Sequence, residues 1–223
     1  MAEMLTDEQI GLNQERFLSL VTSINREGVN IDRLVNQLIN SDFFYAPASA
    51  RYHNAFPGGL CAHCLNVYDN LVAFTNAMFP NKINEETNEV ISTCPFSEDS
   101  LKIVALFHDF DKMNKYERTV NNKKIYSENG SKYDEMGKFD WVSVPGWKRK
   151  DNQDVFSVGT HAETSVYMTE TFIPLSPEEW AAIISHDGVF GNPKLDVTSV
   201  YSKYNLACML HIADMAATYV LES

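Results

Sequence analysis

With 223 residues, 44% of them hydrophobic and 12% aromatic, the chain carries enough apolar sequence for one domain with a sizeable core. Its 18 Lys and Arg stand against 30 Asp and Glu, a net charge of -12, which argues against a general binder of duplex DNA, because nonspecific affinity comes from cations neutralising phosphates. No apolar run approaches the length of a membrane span, and the opening residues lack the basic-then-apolar order of a signal peptide, so a cytoplasmic protein with no membrane partner is expected.

Residues 6-25 begin with Thr6 as a cap and carry Ile10, Phe17, Leu18 and Val21 on a broad apolar face, which predicts a helix. A second helix is expected at 30-41, and 1-42 forms an N-terminal helical part of a single domain over 1-223. The aromatic and proline-rich stretch 41-59 reads as an ordered loop ending in the turn Pro57-Gly58-Gly59. From Leu60 to Met78 the apolar positions 60, 64, 67, 71, 74 and 78 alternate by threes and fours, so this helix packs on one stripe. Residues 99-110 contain an apolar run, Ile103 to Phe107, that suits a helix buried on every side, and His108-Asp109 end it.

Beyond it, strand-like residues flank Asn121-Asn122, and 139-144 alternates, predicting a small β-hairpin around 115-145 inside an insertion over 113-158. Ten of the 18 basic residues and only five acids fall between Lys112 and Lys150. This cluster reads either as a solvated polar region or as a cationic lid that meets an anionic substrate, with Lys124 among the candidate contacts. Its tryptophans and tyrosines could stack on bases, as aromatics near cations do in single-strand binders, and ordinary sheet packing explains them equally well. Helices are expected again at 160-171, 176-187 and 202-221. The second of these opens with a Ser176 cap, Pro177 at the first helical position and acids in the first turn. Cysteines at 61, 64, 94 and 208 do not form a disulfide framework, and the Cys61-Cys64 spacing reads as core thiols rather than half a zinc site or a redox pair.

Four of the six histidines lie in apolar, helical surroundings. A single such histidine is more often a hydrogen-bonded core residue than a ligand. The pair His108-Asp109 shifts that balance, since an unpartnered carboxylate at the end of the most buried helix is costly and a bound cation removes the cost. His63 lies on the edge of a packed face, and Asp214 shares a face with Ala207, Leu210 and Ala217. His161 opens one predicted helix and His186 ends another. Six nitrogen and oxygen donors from five helices suit one or two divalent transition metals, Fe, Mn, Co, Ni or Zn, with Asp109 able to bridge through its two oxygens.

Taken in order, His63, His108-Asp109, His161, His186 and Asp214, within FPGGLCAHCLNVY, VALFHDFDK, GTHAETSV, IISHDG and HIADMAATY, resemble the HD-domain metal-dependent phosphohydrolases over about residues 40-221. The resemblance implies an all-α HD fold, a mono- or dinuclear centre and hydrolysis of phosphoesters by a metal-activated hydroxide. Lys112 matches the lysine of the family's HD-x-x-K pattern, so Asp109 and Lys112 are the residues expected to carry catalysis. Arg51 and His53 resemble substrate-side residues, which with Lys112 and Lys124 make the expected substrate contacts. Two positions depart from the pattern: Asp111 precedes the lysine where many relatives have a small residue, and Asp187 follows His186.

The substrate is expected to be a nucleotide or another phosphoester, with a single-stranded oligonucleotide as a further candidate. A 3'-5' exonuclease or cyclic-dinucleotide phosphodiesterase needs an open channel rather than a closed pocket. A noncatalytic nucleotide-binding module on the same scaffold is the reading of a different class, and its usual sign is loss of ligands.

Overall fold

A computed structural model describes residues 4–151 and 154–222; the first three residues of the N-terminal part, residues 152 and 153 of the insertion, and Ser223 lie outside them. Two helices form the N-terminal part, α1 (Asp7–Thr22) and α2 (Ile31–Ile39). Thr6 accepts from the Gln9 backbone while the Gln9 side chain returns to Thr6, a reciprocal cap that fixes the start of α1. The loop from 41 to 58 then delivers the chain to α3 (Gly59–Met78). Its closing turn requires its glycines: Gly58 sits at φ 79, and a Cβ on Gly59 would collide with the Asn54 carbonyl oxygen.

A short antiparallel pair, β1 (Lys82–Ile83) with β2 (Val90–Ile91), precedes α4 (Glu98–Phe107). Every residue of α4 from Leu101 to Phe107 is buried. Ile103, Leu106 and Phe107 face one apolar cluster, in which Phe17 packs edge to face with Phe107 and Phe43 with Phe110. Leu101, Val104 and Ala105 face a second cluster built from α3 and the later helices. The helix is therefore the wall between two halves of the core, and the metal-ligand candidates gather at its C-terminal end.

Next comes the antiparallel sheet of β3 (Tyr116–Tyr126), β4 (Lys132–Asp134) and β5 (Gly137–Arg149), with β5 in the middle. The helical part resumes with α5 (His161–Glu170), α6 (Pro177–Ile184), α7 (Val197–Lys203) and α8 (Asn205–Ala216), and α8 runs into a π-helical turn, Ala217–Leu221. Among the described residues no helix is long and apolar enough to cross a membrane.

The expected all-α fold is corrected. The fold is mixed: the described residues form eight helices, 46% helix, and two antiparallel sheets. The hairpin expected to turn at Asn121-Asn122 is instead an 11-residue strand that runs straight through both asparagines, pairing them with Val144 and Ser143 of the 13-residue β5. Asparagine is tolerated there because the sheet is open to solvent, and Asn122 accepts from the Ser143 hydroxyl at 2.9 Å. The reversal lies between Asp134 and Gly137, where Gly137 takes φ 121, and residues 127–131 carry the chain from β3 to β4, which run in the same direction on either side of β5. The helix expected at 202-221 is also divided, since Tyr204 adopts an extended backbone between α7 and α8.

A largely buried ion pair staples the N-terminal part to the rest. Arg26 reaches both oxygens of Glu179 on α6, at 2.5 and 2.6 Å, and Glu179 is 1% exposed. Burial works against the ionised Glu179, and hydrogen bonds from Arg26, Ser100 and the Ser176 backbone outweigh it, holding the carboxyl below its usual range. A carboxyl lowered in this way contributes stability that is complete above its unfolded value, about 4.3, and lost as pH falls through the folded value. Arg26→Ala is expected to cost about 2–3 kcal/mol at neutral pH, the lower side for a buried pair because Arg26 is partly exposed. Urea midpoints followed with pH should show the wild-type advantage shrinking below about pH 4.

Candidate metal centre

Five elements deliver the six expected ligands to one place. His63 lies within α3, His108 caps the C-terminus of α4, and Asp109 follows it, opening a 3-10 turn over Phe110–Lys112. A reciprocal cap between Thr160 and Glu163 sets the start of α5, so that His161 is its first residue. His186 stands two residues beyond α6, and Asp214 lies on α8. All are buried except His161, which is half-buried; His108 is 0% and Asp109 2% exposed.

Asp109 is the hub. Its Oδ2 lies 3.5 Å from His63 Nε2 and 3.4 Å from His108 Nε2, while its Oδ1 lies 3.7 Å from both His161 Nδ1 and His186 Nε2. Asp214 Oδ1 joins the first group, 3.2 Å from His63 Nε2. One carboxylate thus divides four histidines into two pairs, one oxygen facing each.

The ring orientations are fixed from behind. His108 Nδ1–H donates to the Ala105 carbonyl at 2.9 Å and His186 Nδ1–H to the Ile183 carbonyl at 2.7 Å. A carbonyl only accepts, so in the neutral rings both Nε2 atoms carry lone pairs, and these point at Asp109. His63 and His108 also bring their Nε2 atoms within 3.2 Å of each other. Asp109 Oδ1 and His161 Nδ1 are buried without a hydrogen-bond partner. Electron-rich atoms converging in a buried space, with two of them unsatisfied, fit a cation, and nitrogen with carboxylate oxygen is the donor set that transition metals take. Groups of three ligand atoms within 4.8 Å of one another include His63-His108-Asp109, His108-His186-Asp214 and Asp109-His161-His186.

The electrostatics agree. Burial opposes ionisation of Asp109, but Lys112 and the neighbouring histidines hold its carboxyl well below the usual range. Burial also opposes charge on His63, yet hydrogen bonds to Asp214 and Glu222 raise it to about 10. The carboxylates around His63 thus favour positive charge at this position, which a bound cation would equally supply.

An open cleft of about 820 Å³ leads to these residues. Arg51, His53 and Lys112 line it. The His53 ring lies 4.8 Å from that of His63, and its Nε2 is buried without a partner. Burial, with His63 and Lys112 nearby, lowers the His53 pKa to about 4. Lys112 Nζ lies 2.6 Å from Asp109 Oδ2.

Lys124 is elsewhere: its ammonium pairs with Asp134 at 2.6 Å and sits over the Phe139 ring. The cleft is lined by Lys123 instead, because successive strand residues face opposite sides. Nothing in the pair Lys123-Lys124 announces that phase.

Both departures from the family pattern come to rest beside His161. Asp111 Oδ1 is 3.6 Å from His161 Nδ1, with Lys115 and Ser165 on the same carboxylate, and Asp187 Oδ2 hydrogen-bonds His161 Nε2. Sequence reasoning missed Glu222, which is buried and accepts from His63 Nδ1 at 3.0 Å and from Asn66 at 2.8 Å. The π turn at 217–221 shifts Glu222 off the 3.6-residue period, so helical spacing carries no sign of it. Also missed was His211, whose ring donates to the His186 carbonyl at 2.5 Å beside the cleft. All four cysteines are free, and burial pushes the thiols of Cys61 up to about 12 and of Cys64 well above the usual range, as core thiols require. Comparison of the chain with models of protein families, with curated proteins and with solved structures finds no match.

Proposed function

We propose that the chain is a metal-dependent phosphohydrolase of the HD type, cleaving a phosphoester of a nucleotide or short oligonucleotide. The observation that carries this reading is Asp109, whose two oxygens each face a separate pair of buried histidines. His63, His108, Asp109 Oδ2 and Asp214 would hold one divalent transition metal, and Asp109 Oδ1, His161 and His186 a second. Bound there, such ions supply Lewis acidity, which acidifies water and offsets charge on phosphoryl oxygens.

The protein's own contribution is placement. Backbone carbonyls behind His108 and His186 keep their rings from turning, so the donor atoms are arranged before anything binds. Lys112, tethered to Asp109 at the cleft floor, presents an ammonium to a phosphate oxygen, while Arg51 and Lys123 extend the positive rim outward. His53 offers a buried, unpartnered nitrogen toward the same space. Exposed Tyr52, Phe190 and Tyr219 also line the cleft and offer ring faces to a base.

Metal analysis of the purified protein, followed by a panel of mononucleotides, cyclic dinucleotides and single-stranded oligomers with each metal added back, tests the reading. Turnover that needs added metal and vanishes in chelator is expected. Binding of a nucleotide with no release of phosphate or shorter product from any panel member would instead favour the noncatalytic module. Within the active panel, Lys123→Gln should raise KM for a mononucleotide ester about five- to tenfold, as loss of one charge-assisted contact does. Lys124→Gln should leave that KM unchanged.

A further inference from the structure

The three-stranded sheet of the insertion packs mainly on itself and presents broad faces to solvent. Alternation along β3 and β5, with the register that pairs Arg118 with Trp147 and Lys124 with Trp141, collects one set of side chains on a single face. That face is aromatic and cationic. The Arg118 guanidinium lies 4.0 Å from the centre of the Trp147 ring. The Lys124 ammonium lies 4.3 Å from the centre of Phe139 and 5.6 Å from that of Trp141, and the Tyr126 ring is 5.6 Å from Phe139. Trp141 is 49% and Tyr126 39% exposed, so ring area is left uncovered in a chain otherwise strongly acidic. Arg149 and Lys132 add charge on the same face, and its one acid, Asp134, is already paired with Lys124.

We infer that this face binds single-stranded nucleic acid, with bases stacked on Trp141 and Trp147 and phosphates against Arg118, Arg149 and Lys132, the Lys124 charge being held by Asp134. Exposed rings interleaved with cations provide what a single strand needs and a duplex cannot use, since only unpaired bases offer their faces. Trp141 and Trp147 are six residues apart on one strand, roughly 20 Å, a span that takes several nucleotides. The sheet also reaches the metal cleft, whose lining includes Pro145 of β5 and Lys123 of β3. The binding stands on the sheet alone; describing the bound strand as substrate rests on the hydrolase reading above.

The test is fluorescence anisotropy with a labelled oligothymidylate and oligouridylate of about 12 nucleotides, a length that covers both tryptophans, measured in chelator so that nothing is turned over. Trp141→Ala should weaken binding by about 5- to 150-fold, the range for loss of one stacking platform. Arg118→Gln should weaken it and lower the salt slope by about 0.7, one phosphate contact on a single strand. Lys148→Gln removes the same charge from the opposite face and should leave affinity within twofold. Because binding is read in chelator, where nothing is turned over, failure of hydrolysis leaves the binding result standing, which separates this proposal from the metal reading. The inference is overturned if the wild-type chain does not bind the oligomers, if Arg118→Gln and Lys148→Gln lose affinity equally, or if polyglutamate competes as well as an unlabelled oligonucleotide.

Discussion

Asp109→Asn is expected to strip metal from both halves of the centre and to lower phosphoester turnover by more than about 100-fold, beyond the roughly 10- to 100-fold that loss of an outer-shell partner costs. The reason is that an amide cannot replace a carboxylate that serves two sides. Oδ2 faces His63 and His108, and Oδ1 faces His161 and His186. In asparagine one of those positions becomes an N–H donor, which cannot bind a cation and instead hydrogen-bonds a histidine lone pair. The side chain keeps its volume, so the wall between the two core clusters is undisturbed, and Lys112, which borders the cleft, can turn to solvent. Metal content after gel filtration, read beside circular dichroism, separates loss of ligands from loss of fold. Asp214→Asn supplies the contrast: Asp214 makes its near approaches to His63, at 3.2 Å, and His108, at 4.0 Å, so the ion assigned to Asp109, His161 and His186 should be retained. A folded Asp109→Asn protein that keeps two ions, or full turnover, would remove the basis of the proposed function.

How much of this was legible beforehand depends on the physical scale of each signal. Helices with a strong apolar period and a capping residue could be read from the chain, as Thr6 and Ser176 illustrate. The cluster could be read because a histidine or carboxylate in an apolar helix is costly and needs a reason, and the six side chains do converge. The sheet was understated because Asn121-Asn122 resembles a turn locally, whereas pairing across β5 decides its backbone. Strand phase, which separates Lys123 in the cleft from Lys124 on the outer face, is a property of the assembled sheet. The break at Tyr204 and the π turn after α8 are tertiary adjustments that no periodicity encodes. Supporting residues are consequently the least legible part of the site, because they answer to a ligand's back edge rather than to the core or to substrate.

Glu222 is the clearest of these, and it carries a second large expected effect. His108 and His186 rest their Nδ1–H groups on backbone carbonyls, while His161 rests on Asp187 and His63 on Glu222, a carboxylate delivered by the π turn and steadied by Asn66. A carboxylate behind a ligating imidazole fixes the tautomer with Nε2 free and makes the ring a better donor. Glu222→Ala should therefore weaken the ion held by His63, His108, Asp109 and Asp214 by about 10- to 100-fold in chelator competition. The ion held by His161 and His186 should keep its affinity, so stoichiometry under limiting metal falls from two toward one. Glu222→Gln keeps an oxygen acceptor for Nδ1–H but not the charge, and it should fall between wild type and alanine. That graded order distinguishes orientation plus charge from packing, since a packing role would lower the thermal midpoint in both variants and leave metal affinity alone. If a folded Glu222→Ala protein binds both ions as tightly as wild type, the carboxylate does not act through His63.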